Sequence, residues 1–150
     1  MRGTLLIAIA LLVARSAATQ TPAERPLALE ARFDGIFARR VTTTHAGLGV
    51  TRAASRNLEL QIVLAGGVTM RGDNDDRNAS GRADVLARFA PRPTRRDAWA
   101  AYGGGGASVL VEKTARGRAV LAIVVGVRGR RQFVEMGLGG GFRAGAGVRF

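Results

Sequence analysis

The chain has 150 residues, a one-domain length, and a formal charge of +12 from 23 basic against 11 acidic side chains. It has no cysteine, which excludes a disulfide framework, a thiolate zinc cluster and a thiol nucleophile. The basic residues come in separated pairs (Arg39–Arg40, Arg95–Arg96, Arg130–Arg131) rather than one tract, which argues against a nucleic-acid groove; 21 glycines and a single lysine, Lys113, argue against a helical bundle.

The amino terminus reads as an export signal. Met1-Arg2-Gly3 is a short positive region, Thr4 to Ala14 is apolar and uncharged, and Ser16-Ala17-Ala18 offers small residues for cleavage after Ala18. The apolar run is about half of the ~20 residues that a spanning helix needs, so residues 1–18 are a signal peptide rather than an anchor. Their removal leaves 21 basic against 11 acidic residues, a charge of +10. Residues 19–26 form a short polar leader with two prolines.

From Leu27 onward the chain alternates, and side chains on a strand alternate between faces. Leu27, Leu29, Ala31, Phe33, Gly35 and Phe37 share one face, opposite Glu30, Arg32 and Asp34. After a turn at Arg39–Arg40, Thr42, Thr44, Ala46, Leu48 and Val50 oppose Thr43, His45, Gly47 and Gly49. A turn from Thr51 to Arg56 leads into Leu58 to Met70. Arg71 to Arg82 (RGDNDDRNASGR) is expected to be a polar loop and the longest break in the chain. Ala83, Val85, Ala87 and Phe89 then oppose Asp84, Leu86 and Arg88, and Pro91 to Asp97 is a turn that no strand can continue through. Trp99 to Glu112, a turn at Lys113 to Gly117, Ala119 to Arg128, and a strand around Val134, Met136 and Leu138 follow. A Gly139–Gly140 hairpin then leads to the final stretch, Gly141 to Phe150.

That makes eight strands, and the face opposite the apolar one carries the charges. Six acids lie there (Glu30, Asp34, Glu59, Asp84, Glu112, Glu135) with five arginines (Arg32, Arg88, Arg128, Arg143, Arg149). The interior of an eight-stranded barrel is just wide enough to be filled by side chains, and buried charges persist only when paired. The near balance therefore predicts a closed polar interior, with the apolar faces turned to lipid. Phe37, Phe89, Trp99, Phe142 and Phe150 fall near segment ends, as interfacial aromatics do.

The terminal FRAGAGVRF with its last aromatic residue, the Tyr102-Gly103-Gly104-Gly105-Gly106 run after a proline-rich turn, and the eight-strand pattern resemble the small bacterial outer-membrane β-barrels across about residues 27–150. The resemblance implies an all-β, up-and-down transmembrane barrel. It also implies an outer-membrane location, both termini in the periplasm, and a terminal signal read by the barrel-assembly machinery. Such barrels include structural anchors, adhesins, small pores and a few lipid-modifying enzymes.

No catalytic, cofactor or metal site is expected. His45 is the only histidine, and Ser55, Ser80 and Ser108 are scattered, with no His-X-Ser pair on one strand face. Asp73-Asn74-Asp75-Asp76 begins like a calcium loop but has Asn78 where glycine belongs and lacks the later glutamate. Arg71-Gly72-Asp73 and Asn78-Ala79-Ser80 match short recognition tripeptides of low specificity, and the Gly103–Gly106 and Gly137–Gly141 runs lack the surroundings of a phosphate loop. The expected protein is a non-enzymatic integral outer-membrane barrel, structural or acting through its outer loops. Its partners would be membrane lipid, lipopolysaccharide phosphates for the surface arginines, and the assembly machinery during biogenesis, with no nucleic acid. The alternative is a soluble exported β-barrel that binds a small ligand or polyanion, with its apolar faces inward.

Overall fold

Period-two alternation builds every element of the computed structural model, which describes residues 27–72, 77–89, 99–113 and 115–150. The signal-peptide and leader assignments (1–18 and 19–26), Asp73 to Asp76 and the turn Pro91 to Asp97 lie outside the described residues. Eight strands run in order: β1 Leu27–Ala38, β2 Val41–Ala53, β3 Leu58–Arg71, β4 Arg77–Phe89, β5 Ala100–Glu112, β6 Ala115–Arg128, β7 Gln132–Leu138 and β8 Phe142–Arg149. Each pairs antiparallel with the next, and β8 returns to β1, so that the sheet closes into a barrel with no free edge strand.

Register fixes which side chains meet. Glu30 faces Gly49, Gly49 faces Val63, Val63 faces Asp84, Asp84 faces Ser108, and Ser108 faces Val120. Val120 already lies beyond the reach of β7, which pairs with β6 only over Ile123–Arg128. This stagger is the geometric consequence of tilting strands to close a sheet. It leaves the β5–β6 hairpin standing above the shorter β7–β8 hairpin.

Two differences from the sequence reading stand out. Strand β4 begins at Arg77, with Met70 facing Arg77 and Thr69 facing Asn78, so Arg71 to Arg82 is not a twelve-residue loop. The break spans only residues 72–76, because pairing with β3 draws a polar, alanine-poor segment into the sheet. The longest connection is instead 90–99, between β4 and β5. Likewise β2 continues through Ala53 and β6 starts at Ala115, which shortens the expected turns at Thr51 and Lys113. The Arg39–Arg40 turn holds as expected, with Arg40 at φ 61°, and Gly140 takes φ 80° in the last hairpin, a conformation glycine adopts without strain.

Polarity is inverted relative to a soluble domain. Leu48, Ile62, Leu64, Val85, Leu121, Ile123, Val125, Val134, Met136 and Leu138 all point outward and are exposed, Leu121 to 83%. Side chains fully buried inside include Arg143, Glu135, His45, Gln61, Asp34 and Asp84. Leu86, Ala122 and Val124 form only a small apolar cluster among them. Phe37 and Phe142 sit outward at one end with ring centroids 6.4 Å apart, while Phe89, Trp99 and Phe150 are exposed at the other. An apolar belt closed by aromatic rings at both ends is the outer surface of a barrel that spans a bilayer. No helix among the described residues is long and apolar enough to cross a membrane.

Candidate functional site

The interior divides into a packed middle and a cup above it. In the middle, the Glu135 carboxylate is the hub. It receives hydrogen bonds from Arg32, from Arg88 at 2.6 Å, from the Tyr102 hydroxyl at 2.9 Å and from Arg143 at 3.2 Å. Arg32 also donates twice to Asp34, at 2.9 and 2.7 Å, and Arg82 reaches Asp34 from across the barrel. Asp84 accepts from Arg143 at 2.9 Å and from Ser108 at 2.7 Å. Glu30 accepts from Thr51 at 2.9 Å and from Gln61. Nearer the end where Leu27 and Phe150 lie, Glu59 is gripped by Arg128 at 2.7 and 2.8 Å, with Arg149 3.7 Å away.

Every inward acid and arginine expected from alternation is therefore inside or at a rim, and one more joins them. Arg82, read from the sequence as the end of a loop, is 3% exposed within β4 and makes the balance six arginines to six acids. Removing so many charges from water is costly, and the cost is offset here because each carboxylate meets a guanidinium or a second donor. Aromatic faces help. Arg88 lies 4.9 Å from the Tyr102 ring centroid and Arg32 lies 5.5 Å from that of Phe133. Tyr102 can lie flat across the lumen because its neighbour on β6 is Gly126, where a Cβ would stand 2.7 Å from the ring.

Above this layer a cavity of about 460 Å³ opens at the end where β1 leads to β2, β3 to β4, β5 to β6 and β7 to β8. Thr43, His45, Thr69 and Ser80 line it together with Ile36, Val41 and Leu110, and Arg39, Arg71, Arg118 and Glu112 stand around it. Arg71 donates to Glu112 at 2.9 Å, Arg118 donates to the Gly140 carbonyl at 3.3 Å, and Thr43 and Thr69 share a hydrogen bond of 3.0 Å between their hydroxyls. Towards the opposite end, among the described residues, a space of about 10 Å³ lies beside Arg88, Tyr102 and Arg128.

The serines are not all remote from the histidine. Ser80 Oγ lies 3.2 Å from His45 Nε2, although β3 runs between their strands. The reason is Gly67, which faces both His45 and Ser80; a side chain there would run into the Thr44 carbonyl. No spacing in the sequence could show this pair, because it forms across two strand registers. His45 is 1% exposed and its Nδ1 has no hydrogen-bond partner, so no carboxylate orients the ring as a Ser–His–acid site requires. Ser108 is held by Asp84, and Ser55 accepts the Leu58 amide at 3.2 Å in a turn. Asn78, the position where a calcium loop needs glycine, lies in strand β4, and the Arg71 of Arg-Gly-Asp is engaged by Glu112. No metal-ligating cluster occurs among the described residues.

A closed, antiparallel, eight-stranded barrel with an apolar wall and an ion-paired interior is the transmembrane fold of the small outer-membrane proteins. Solved structures agree. The N-terminal β-barrel domain of Pseudomonas aeruginosa OprF superposes with a TM-score of 0.55 at 15% identity, covering 83% of this chain and 96% of that one. The outer membrane protein OprG from the same organism gives 0.54 at 12% identity, covering 84% and 96%. No protein-family model and no curated protein matches the sequence. At these identities the likeness is one of fold.

Proposed function

We propose that this chain is exported to the outer membrane of a Gram-negative-type envelope and serves there as a non-enzymatic, non-conducting barrel. The observation that carries the reading is the polarity of the wall: apolar side chains face out along every strand, while the interior is plugged by side chains of 0–4% exposure such as Asp34, Glu135, Arg143 and Leu86. The soluble alternative needs the apolar faces inside, and they are outside. Its surroundings are then outer-membrane lipid, with the barrel-assembly machinery as a partner during biogenesis, and no nucleic acid.

The end bearing Leu27 and Phe150 faces the periplasm in this reading, and the cup faces out. The cup-end hairpins are short, spanning residues 39–40, 72–76, 113–114 and 139–141. Contact with the outside is therefore made by the rim and the cup more than by long loops. The unoriented His45 ring favours a structural histidine over a catalytic one.

Two measurements test this. Fractionation of native cells should recover the chain in the detergent-extractable outer membrane; recovery from the soluble periplasm refutes it. In planar bilayers the folded protein should show no stable conductance steps, and steady ion-conducting openings would show that the interior is not sealed.

A further inference from the structure

We infer that the cup is a binding site for a phosphate-class oxyanion, a phosphomonoester on a sugar or on a lipid headgroup. The volume, about 460 Å³, is that of a small-molecule pocket. Among the described residues that line it the charge is mostly positive: Arg39, Arg71 and Arg118 stand at the opening with the Glu112 carboxylate. Only Arg71 is paired with that carboxylate, while Arg118 is held by a backbone carbonyl and keeps donors free. The middle of the barrel behaves differently, since there each guanidinium is matched by carboxylates.

The lining supplies neutral donors. The hydroxyls of Thr43, Thr69 and Ser80 converge there, with Ser80 further tied to His45. His45 closes the floor, 1% exposed and with its Nε2 3.2 Å from Ser80 Oγ. Guanidinium forks above and hydroxyl donors below suit a tetrahedral oxyanion with several acceptor oxygens. Carboxylates offer fewer oxygens, and apolar ligands would waste the donors. Ile36, Val41 and Leu110 add an apolar side against which a carbon skeleton can rest.

Binding does not depend on which side of the membrane the cup faces, so its failure leaves the reading of the barrel untouched. The full mature chain, folded in detergent, is titrated calorimetrically with inorganic phosphate and with glucose 1-phosphate. In parallel, its melting temperature is compared in nanodiscs of phosphatidylcholine with and without phosphatidic acid. The key variant is Arg39→Gln/Arg118→Gln, both exposed side chains outside the ion-paired middle; Arg52→Gln, an exposed arginine towards the opposite end, is the control. Heat-modifiable gel mobility confirms that each variant folds.

The expected result is saturable binding that weakens by about tenfold or more in the double variant and is unchanged in Arg52→Gln. Saturation with the soluble probes assigns the site to a free phosphomonoester. A stabilisation seen only with phosphatidic acid, and lost in the double variant, assigns it to a lipid headgroup. Absence of saturable binding to every probe overturns the inference, and so does an equal loss in Arg52→Gln, which would show diffuse surface charge.

Discussion

The middle of the barrel and the cup above it use the same residue types to opposite ends. In the middle, Arg32, Arg82, Arg88 and Arg143 are each closed off by Asp34, Asp84, Glu30 or Glu135 within a layer of 0–4% exposure. In the cup, among the described residues, Arg39, Arg71 and Arg118 stand over Glu112, which pairs with Arg71, and the floor is neutral: Thr43, Thr69, Ser80 and His45. Charge that is matched seals a lumen; charge left in excess at its mouth makes a surface for something to meet. The difference is set by strand register, because both regions belong to the same inward parity of the same strands.

That contrast can be broken from the outside of the wall first. Ile123→Arg together with Val125→Arg places two charges on lipid-facing positions of β6, each costing ~2–4 kcal/mol near the bilayer midplane. Outer-membrane recovery of the double variant should collapse, whereas a change of charge at the exposed rim, Arg39→Gln, should leave it intact. Within the middle, Glu135→Ala strips the hub from Arg32, Arg88 and Arg143 and leaves guanidiniums buried without their anion. The expected loss is about 3–5 kcal/mol, read as a lower urea midpoint in lipid vesicles. Gly67→Ala should fall next. Its methyl group meets the Thr44 carbonyl and must push β2 from β3, so the melting temperature drops and the His45–Ser80 contact is lost. Ser80→Ala is the mildest, removing one neutral hydrogen bond at the cup floor for about 0.5–1.5 kcal/mol, with assembly unchanged. If Ser80→Ala proved as damaging as Glu135→Ala, the cup would be as structural as the middle.

Much of the barrel was legible because a period of two is a strong signal: all eight strands and the parity of Glu30, Arg32, Asp34, Asp84, Glu135 and Arg143 follow from it. What was not legible depends on pairing across strands. The segment Arg77 to Arg82 has little apolar content and reads as loop, yet β3 recruits it, and with it Arg82 enters the core. Shortening that break also removes the long outer loop and moves the longest connection to the other end, at 90–99. The His45–Ser80 contact and the convergence of Arg39, Arg71 and Arg118 arise from three different hairpins, so no linear motif could have announced them. The neutral partners of the ion network, Thr51, Gln61 and Ser108, were hidden for the same reason.

The direction in which the two strand faces point is tested most directly by single-site fluorescence quenching. Because the chain has no cysteine, Val125→Cys on the wall and Thr43→Cys in the cup can each be labelled alone in the barrel reconstituted in vesicles. The label at 125 should be quenched by lipids brominated in mid-chain and ignored by aqueous iodide, with the reverse at 43. A label at 125 shielded from both quenchers, or reached only by iodide, would put the apolar face against a protein core or water, and would contradict a lipid-facing wall around a sealed, charged interior.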